Sequence, residues 1–176
     1  MKKLTILVIS TAFIFSINAA HAKNSASTSE LSSSTNKLFL LKGKAPTGSK
    51  IPSIEATSTV PFHKTFGALT AEQQNLVRAK FDSLRSNDTP PFPRSGLRAV
   101  YKPLVKANKE FGDDSDINVT AKINSAGFVN GVTVHNSNNA QLVSYIQRHL
   151  QNTRFEPAKC DGIACDMDFP IDISFN

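Results

Sequence analysis

Two stretches, residues 116–123 and 166–175, alternate without error between apolar and polar side chains, and nothing else in the chain restricts its fold so tightly. In the first, Ile117, Val119, Ala121 and Ile123 share one face while Asp116, Asn118, Thr120 and Lys122 share the other. In the second, Met167, Phe169, Ile171, Ile173 and Phe175 oppose Asp166, Asp168, Pro170, Asp172 and Ser174. Side chains alternate across a pleated strand, so both patterns describe a sheet with one covered face and one wet face. The cover lies between them. Residues 139–151 place Leu142, Ile146 and Leu150 at i, i+4 and i+8, with Val143 alongside, which predicts an amphipathic helix.

A further strand, residues 128–135, follows the first through a turn at Ala126-Gly127, where glycine can take the positive φ that hairpin loops require. The third strand returns after a helix, so a right-handed crossover sets it parallel to the second. The predicted fold class is α+β: a small antiparallel three-stranded sheet of order 2-1-3, covered by an amphipathic helix, with an additional N-terminal helix. The last strand is then an edge. Pro170 fits there, because proline is tolerated where no ladder N–H is needed.

Upstream, Met1-Lys2-Lys3 precedes an apolar run from Leu4 to Ile17 and then Ala20-His21-Ala22. A charged start, a short apolar middle and an A-x-A site predict a bacterial secretory signal over residues 1–22 and a periplasmic product. The apolar run falls short of the ~20 residues a spanning helix needs; a retained anchor is the alternative. Residues 23–66 read as a flexible tail and linker, rich in Ser and Thr at first and then in Pro and Gly. Residues 37–42 carry four apolar side chains in a row, either a short docking strand or a sticky part of the tail.

Residues 67–176 form the predicted domain, with a helix at 70–87 and a core at 90–176. Thr70 and Gln73 spell a capping box, and Leu76, Val77, Phe81 and Leu84 follow at helical spacing. Pro90 and Pro91 bar continuation. Residues 95–101 predict a short helix stopped before Pro103, and 104–111 are ambiguous.

Cys160 and Cys165 are the two cysteines. In an exported chain an even count predicts a disulfide, though so short a loop contributes only about 2 kcal/mol in the chain-entropy model. A redox pair is the other reading, but four residues separate the cysteines rather than two, and no cation adjoins Cys165.

Without Lys2 and Lys3 of the leader the net charge of +6 falls to +4, which is mild, and the lysines and arginines are dispersed rather than interleaved with aromatics, so nucleic acid is not a predicted partner and a basic surface facing anionic lipid or cell wall is the alternative. No nucleophile elbow, dinucleotide loop or P-loop occurs. His63, His135 and His149 fall in a linker, a strand end and a helix. Asp166, Asp168 and Asp172 could attract a cation, but solvated charge guarding a sheet edge explains them too and is the favoured reading. The sequence therefore predicts no enzyme, no cofactor, no metal and no small-molecule substrate.

Several of these features together resemble the C-terminal domain of the TonB family. They are the Ala126-Gly127 turn, Val132, Val134 and Ser137 before an amphipathic helix, and Arg154-Phe155-Glu156-Pro157-Ala158 before an alternating strand. Upstream, Pro90-Pro91-Phe92-Pro93 is similar to that family's Pro-x-Tyr-Pro segment. The resemblance spans residues 90–175. It implies a periplasmic module that adds a peptide of an outer-membrane receptor, or another envelope protein, to the edge of its sheet. The contacts so implied are Asp168, Asp172 and Ser174 on the last strand and Pro91, Phe92 and Pro93 upstream. Membrane association would come only through a partner or an uncleaved leader. The alternative is a structural or envelope-assembly factor that binds through the 70–87 helix or the tail. The cysteine pair and residues 102–116 lie outside the family's pattern.

Overall fold

The computed structural model describes residues 37–174 other than 46, 52, 83 and 112–115. The leader at 1–22, the Ser/Thr-rich stretch at 24–35 and Phe175 lie outside the described residues. The described chain contains three α-helices and several small antiparallel sheets, an α+β arrangement.

It opens on a hairpin, β1 (Phe39–Lys42) paired with β2 (Ile54–Ser58). Leu41 turns inward at 2% exposure, and Val60, Phe62 and Phe66 join it in the same apolar core. Residues 37–66 thus supply apolar surface to the domain, although their composition predicts a linker. The inward residues belong to a four-residue strand, to irregular chain and to a single 3-10 turn at Phe66–Ala68, all too short to show a period.

Helix α1 (Ala71–Arg78) begins with the capping box: Gln73 N donates to Thr70 Oγ1 at 3.3 Å, and Thr70 N donates to Gln73 Oε1 at 3.2 Å. It ends well short of residue 87. Lys80 N bonds Val77 O at 3.1 Å and Phe81 N bonds Arg78 O at 3.0 Å, tighter i→i−3 bonds that close the last turn. Arg78 then donates to the carbonyls of Arg85 and Asp88, folding the following loop back. Release from the helix lets Phe81 set its ring 6.2 Å from that of Phe169.

After β3 (Phe92–Pro93) comes α2 (Arg98–Phe111), which carries Pro103 in its interior. The predicted stop before Pro103 does not occur. Proline removes the bond to the carbonyl four residues earlier, here Ala99. That carbonyl is taken up from another helix: His149 Nε2 lies 2.9 Å from Ala99 O. A carbonyl only accepts, so this nitrogen carries the proton.

β4 (Ile117–Ile123) and β5 (Val129–Val134) form a hairpin closed at Gly127, whose φ is +80°. Phe155 N donates to Gly127 O at 3.0 Å, and a Cβ at this position would stand 2.2 Å from the Phe155 carbonyl oxygen, so only glycine fits. Helix α3 (Ala140–Gln151) is capped by Asn139, whose Oδ1 accepts from Gln141 N and Leu142 N. Its Leu142, Ile146 and Leu150 are buried. At roughly 1.5–3 kcal/mol each, they outweigh the disulfide.

The chain closes with β6 (Phe155–Glu156), β7 (Ala158–Cys160), β8 (Ile163–Cys165) and β9 (Met167–Ile173). β6 pairs with β3, β7 with β8, and β9 with β4, so that β4 lies between β5 and β9. The Cys160 and Cys165 sulfurs are 1.93 Å apart, at bonding distance, across a turn whose Asp161 and Gly162 have φ of 50° and 84°. Both positive angles suit the Asp-Gly turn of a tight hairpin. The core gathers the inward residues of β4 and β9 with α2, α3 and the rings of Phe92 and Phe155.

Candidate functional site

The sheet has one edge with a distinctive backbone, set by which way each residue of β4 points. Asn118 N donates to Asn136 Oδ1 at 2.8 Å, and Asn118 O accepts from His135 N at 2.9 Å. Both backbone groups of Asn118 therefore face β5. Direction alternates along a strand in an antiparallel ladder, so Thr120 and Lys122 also face β5. Ile117, Val119, Ala121 and Ile123 face β9. Their partners in register are Ile173, Ile171, Phe169 and Met167. The remaining residues of β9, namely Asp168, Pro170 and Asp172, turn their backbone groups away from the sheet.

Thr120 opposite Pro170 is thus a pair without ladder bonds, which is why a proline fits inside this strand. The outward row presents N–H groups at Asp168 and Asp172 and carbonyls at all three positions. Among the described residues, none of these groups has a backbone bond beyond the sheet. Asp168, Asp172 and Ser174 are exposed.

Residues of the chain's earlier half flank this edge. Leu76, Lys80 and Phe81 stand along an apolar crevice beside Phe169 and Pro170. Its free volume of about 10 Å³ is that of a single water, too little for a ligand. On the wet face an open hollow of about 360 Å³ is bordered by Lys80, Leu84, Thr120, Met167 and Asp168. It has room for a side chain laid along the edge.

The other implied contacts lie elsewhere. Pro91, Phe92 and Pro93 are buried, with Phe92 at 1% exposure. Phe92 packs edge-on to Phe169 at 6.5 Å and tilts against Phe66 at 5.8 Å. The proline-rich segment is a wall of the core, because β3 pairs with β6 and its one large ring has nowhere polar to go. It does not join Asp168 and Asp172 on an open surface. The Arg154-Phe155-Glu156-Pro157-Ala158 run is structural too. Phe155 and Ala158 are fully buried, and the Arg154 guanidinium lies 3.6 Å above the Phe128 ring.

Charge around the edge is ordered. Arg85 Nε donates to Asp88 Oδ2 at 3.0 Å, Arg85 Nη1 reaches Asp161 Oδ2 at 2.7 Å, and Asp161 N donates to Asp88 Oδ1 at 3.0 Å. The Arg85 hydrogen bond, helped by the Asp161 N–H, holds the Asp88 carboxyl below the usual carboxylate range. This network ties the cysteine hairpin to the loop after α1. Burial pushes the Tyr101 hydroxyl up to about 12, and the nearby Asp172 carboxylate adds to it.

His135 Nε2 meets Thr120 Oγ1 at 2.8 Å on the wet face. Asp166 accepts from Ser125 N at 2.7 Å. Among the described residues no three His, Cys, Asp or Glu side chains converge as a metal set, and no helix is long and apolar enough to cross a membrane. The flank formed by Lys80, Phe81 and Leu84 had no signature in the sequence beyond the helical spacing of Phe81 and Leu84, which pointed to the core but not to β9. No family model, curated protein or solved structure matches this chain.

Proposed function

We propose that this chain is a periplasmic protein-binding module that resembles the TonB C-terminal domain and captures an extended partner segment by strand addition along β9. One observation carries the reading: the outward N–H groups of Asp168 and Asp172 have no backbone partner among the described residues. Main-chain bonds to such an edge supply affinity, and alternate side chains supply selectivity. The partner is an envelope protein or the peptide of an outer-membrane receptor, in service of TonB-dependent transport. The exposed carboxylates of Asp168 and Asp172 favour a segment with cations four residues apart, because opposite charges across neighbouring strands attract.

Photo-crosslinking in living cells tests this. A probe replacing Asp172 captures an envelope protein, whereas the same probe at exposed Gln141 on α3 does not. Equal capture from both positions, or none from Asp172, overturns the proposal.

A second reading has its own support. Leu76 on α1 is 42% exposed, an apolar side chain on a wet helix. A structural or envelope-assembly factor would bind there, without energy transduction. Pro170→Val then leaves partner capture unchanged, whereas under strand addition the same change strengthens it.

A further inference from the structure

The outer face of the β1–β2 hairpin should be its polar face, and it is not. Leu41 points into the core, so Leu40 and Lys42 point away from it. Leu40 stands opposite Thr57 and Lys42 opposite Ile54, so these four share the outer face. Leu38 extends the row, and Ile51 sits in the connecting loop. Leu38, Leu40, Ile51 and Ile54 are 60%, 44%, 77% and 61% exposed. Scattered exposed aliphatics are ordinary, but four on one small hairpin form a patch that calls for an occupant.

The charges around the patch have one sign. Lys37, Lys42, Lys44 and Lys50 are all exposed. The one acidic residue of the segment 37–59 is Glu55, and its carboxylate is engaged by Lys109 Nζ at 3.6 Å. That ion pair and the buried Leu41 fix the hairpin to α2 and the core with its apolar side outward.

We propose that this face docks on an anionic phospholipid bilayer. Aliphatic side chains ringed by lysines match that surface: the aliphatics enter the acyl boundary while the lysine stems let the ammonium groups reach lipid phosphates. The outer face lacks the Tyr, Trp and Arg anchors that dominate protein–protein interfaces, and lysine is depleted from such interfaces. The proposal stands apart from strand addition. It gives a direct route to the membrane a definite place, where the sequence predicts association through a partner or a leader and assigns no residues to a basic surface.

The test uses the chain's lack of tryptophan. Leu40→Trp in the full chain places one indole on the face, and Thr57→Trp serves as a second reporter should the first fail to fold. With phosphatidylglycerol vesicles the emission shifts to the blue and is quenched by brominated acyl chains; with phosphatidylcholine vesicles it does not. Replacing Lys42, Lys44 and Lys50 together by Gln weakens binding about a hundredfold, at roughly fivefold per lysine. An apolar leader can bring the chain to a vesicle but does not shield the reporter. Emission unchanged by anionic vesicles overturns the proposal, as does binding indifferent to the lysines. So does an indole already shielded without vesicles, which would assign the face to residues 1–36 or to a second copy.

Discussion

His149 Nε2 donates to the carbonyl of Ala99 at 2.9 Å, and Ala99 stands four residues before Pro103 in α2. One helix thereby supplies the hydrogen bond that a proline removes from another. His149→Ala strands the Ala99 carbonyl and costs on the order of 1–3 kcal/mol. Pro103→Ala in the same background restores an N–H aimed at that carbonyl and recovers part of the loss. Denaturant unfolding of the two single variants and the double variant measures the coupling. Strictly additive effects would remove His149 from this role; the lost stacking on Tyr145 is common to both His149 variants and cancels.

This bond also shows where sequence reasoning stops. Pro103 reads as a helix stop because its local rule is sound, and the compensation comes from a residue far along the chain. The alternation at 116–123 and 166–173 was legible because each strand spans enough pleats to show a period, as was the stripe of Leu142, Ile146 and Leu150 on α3. The inward turn of Leu41 and the burial of Phe92 were not. Each sits in an element of two to four residues, where burial is decided by what packs from elsewhere. For the candidate site, Asp168, Pro170 and Asp172 could be placed on one row from the sequence. Which way their amides point required the bonds of Asn118.

Tyr101 makes stability fall at alkaline pH. Its hydroxyl is pushed up to about 12, chiefly by burial and then by Asp172, while an unfolded tyrosine ionises near ~10. The raised folded value means its contribution is complete below pH ~10 and is lost as pH rises toward 12, where the unfolded chain has released a proton the folded one keeps. Unfolding midpoints from pH ~9 to ~11.5 decline more steeply for the native chain than for Tyr101→Phe. Identical slopes would show that the ring ionises as freely as in the unfolded chain.

Pro170 interrupts the outward row between Asp168 and Asp172. Pro170→Val supplies the missing donor and leaves the ladder to β4 intact, since Thr120 opposite makes no ladder bond to it. One added main-chain bond of about 1 kcal/mol raises partner affinity roughly fivefold. Sedimentation also reveals edge-to-edge self-association of the variant, because a complete edge is a template for any strand. Unchanged capture and an unchanged sedimentation profile would mean that β9 is not the binding edge.

The direction of the amides along β9 decides whether the edge is open, and residue-resolved hydrogen exchange reads that direction without a partner. In the free protein the amides of Phe169 and Ile171, bonded to β4, exchange slowly, while those of Asp168 and Asp172 exchange at rates approaching an open chain. Asp168 and Asp172 amides as protected as their neighbours would contradict the account, because the edge would then already be closed.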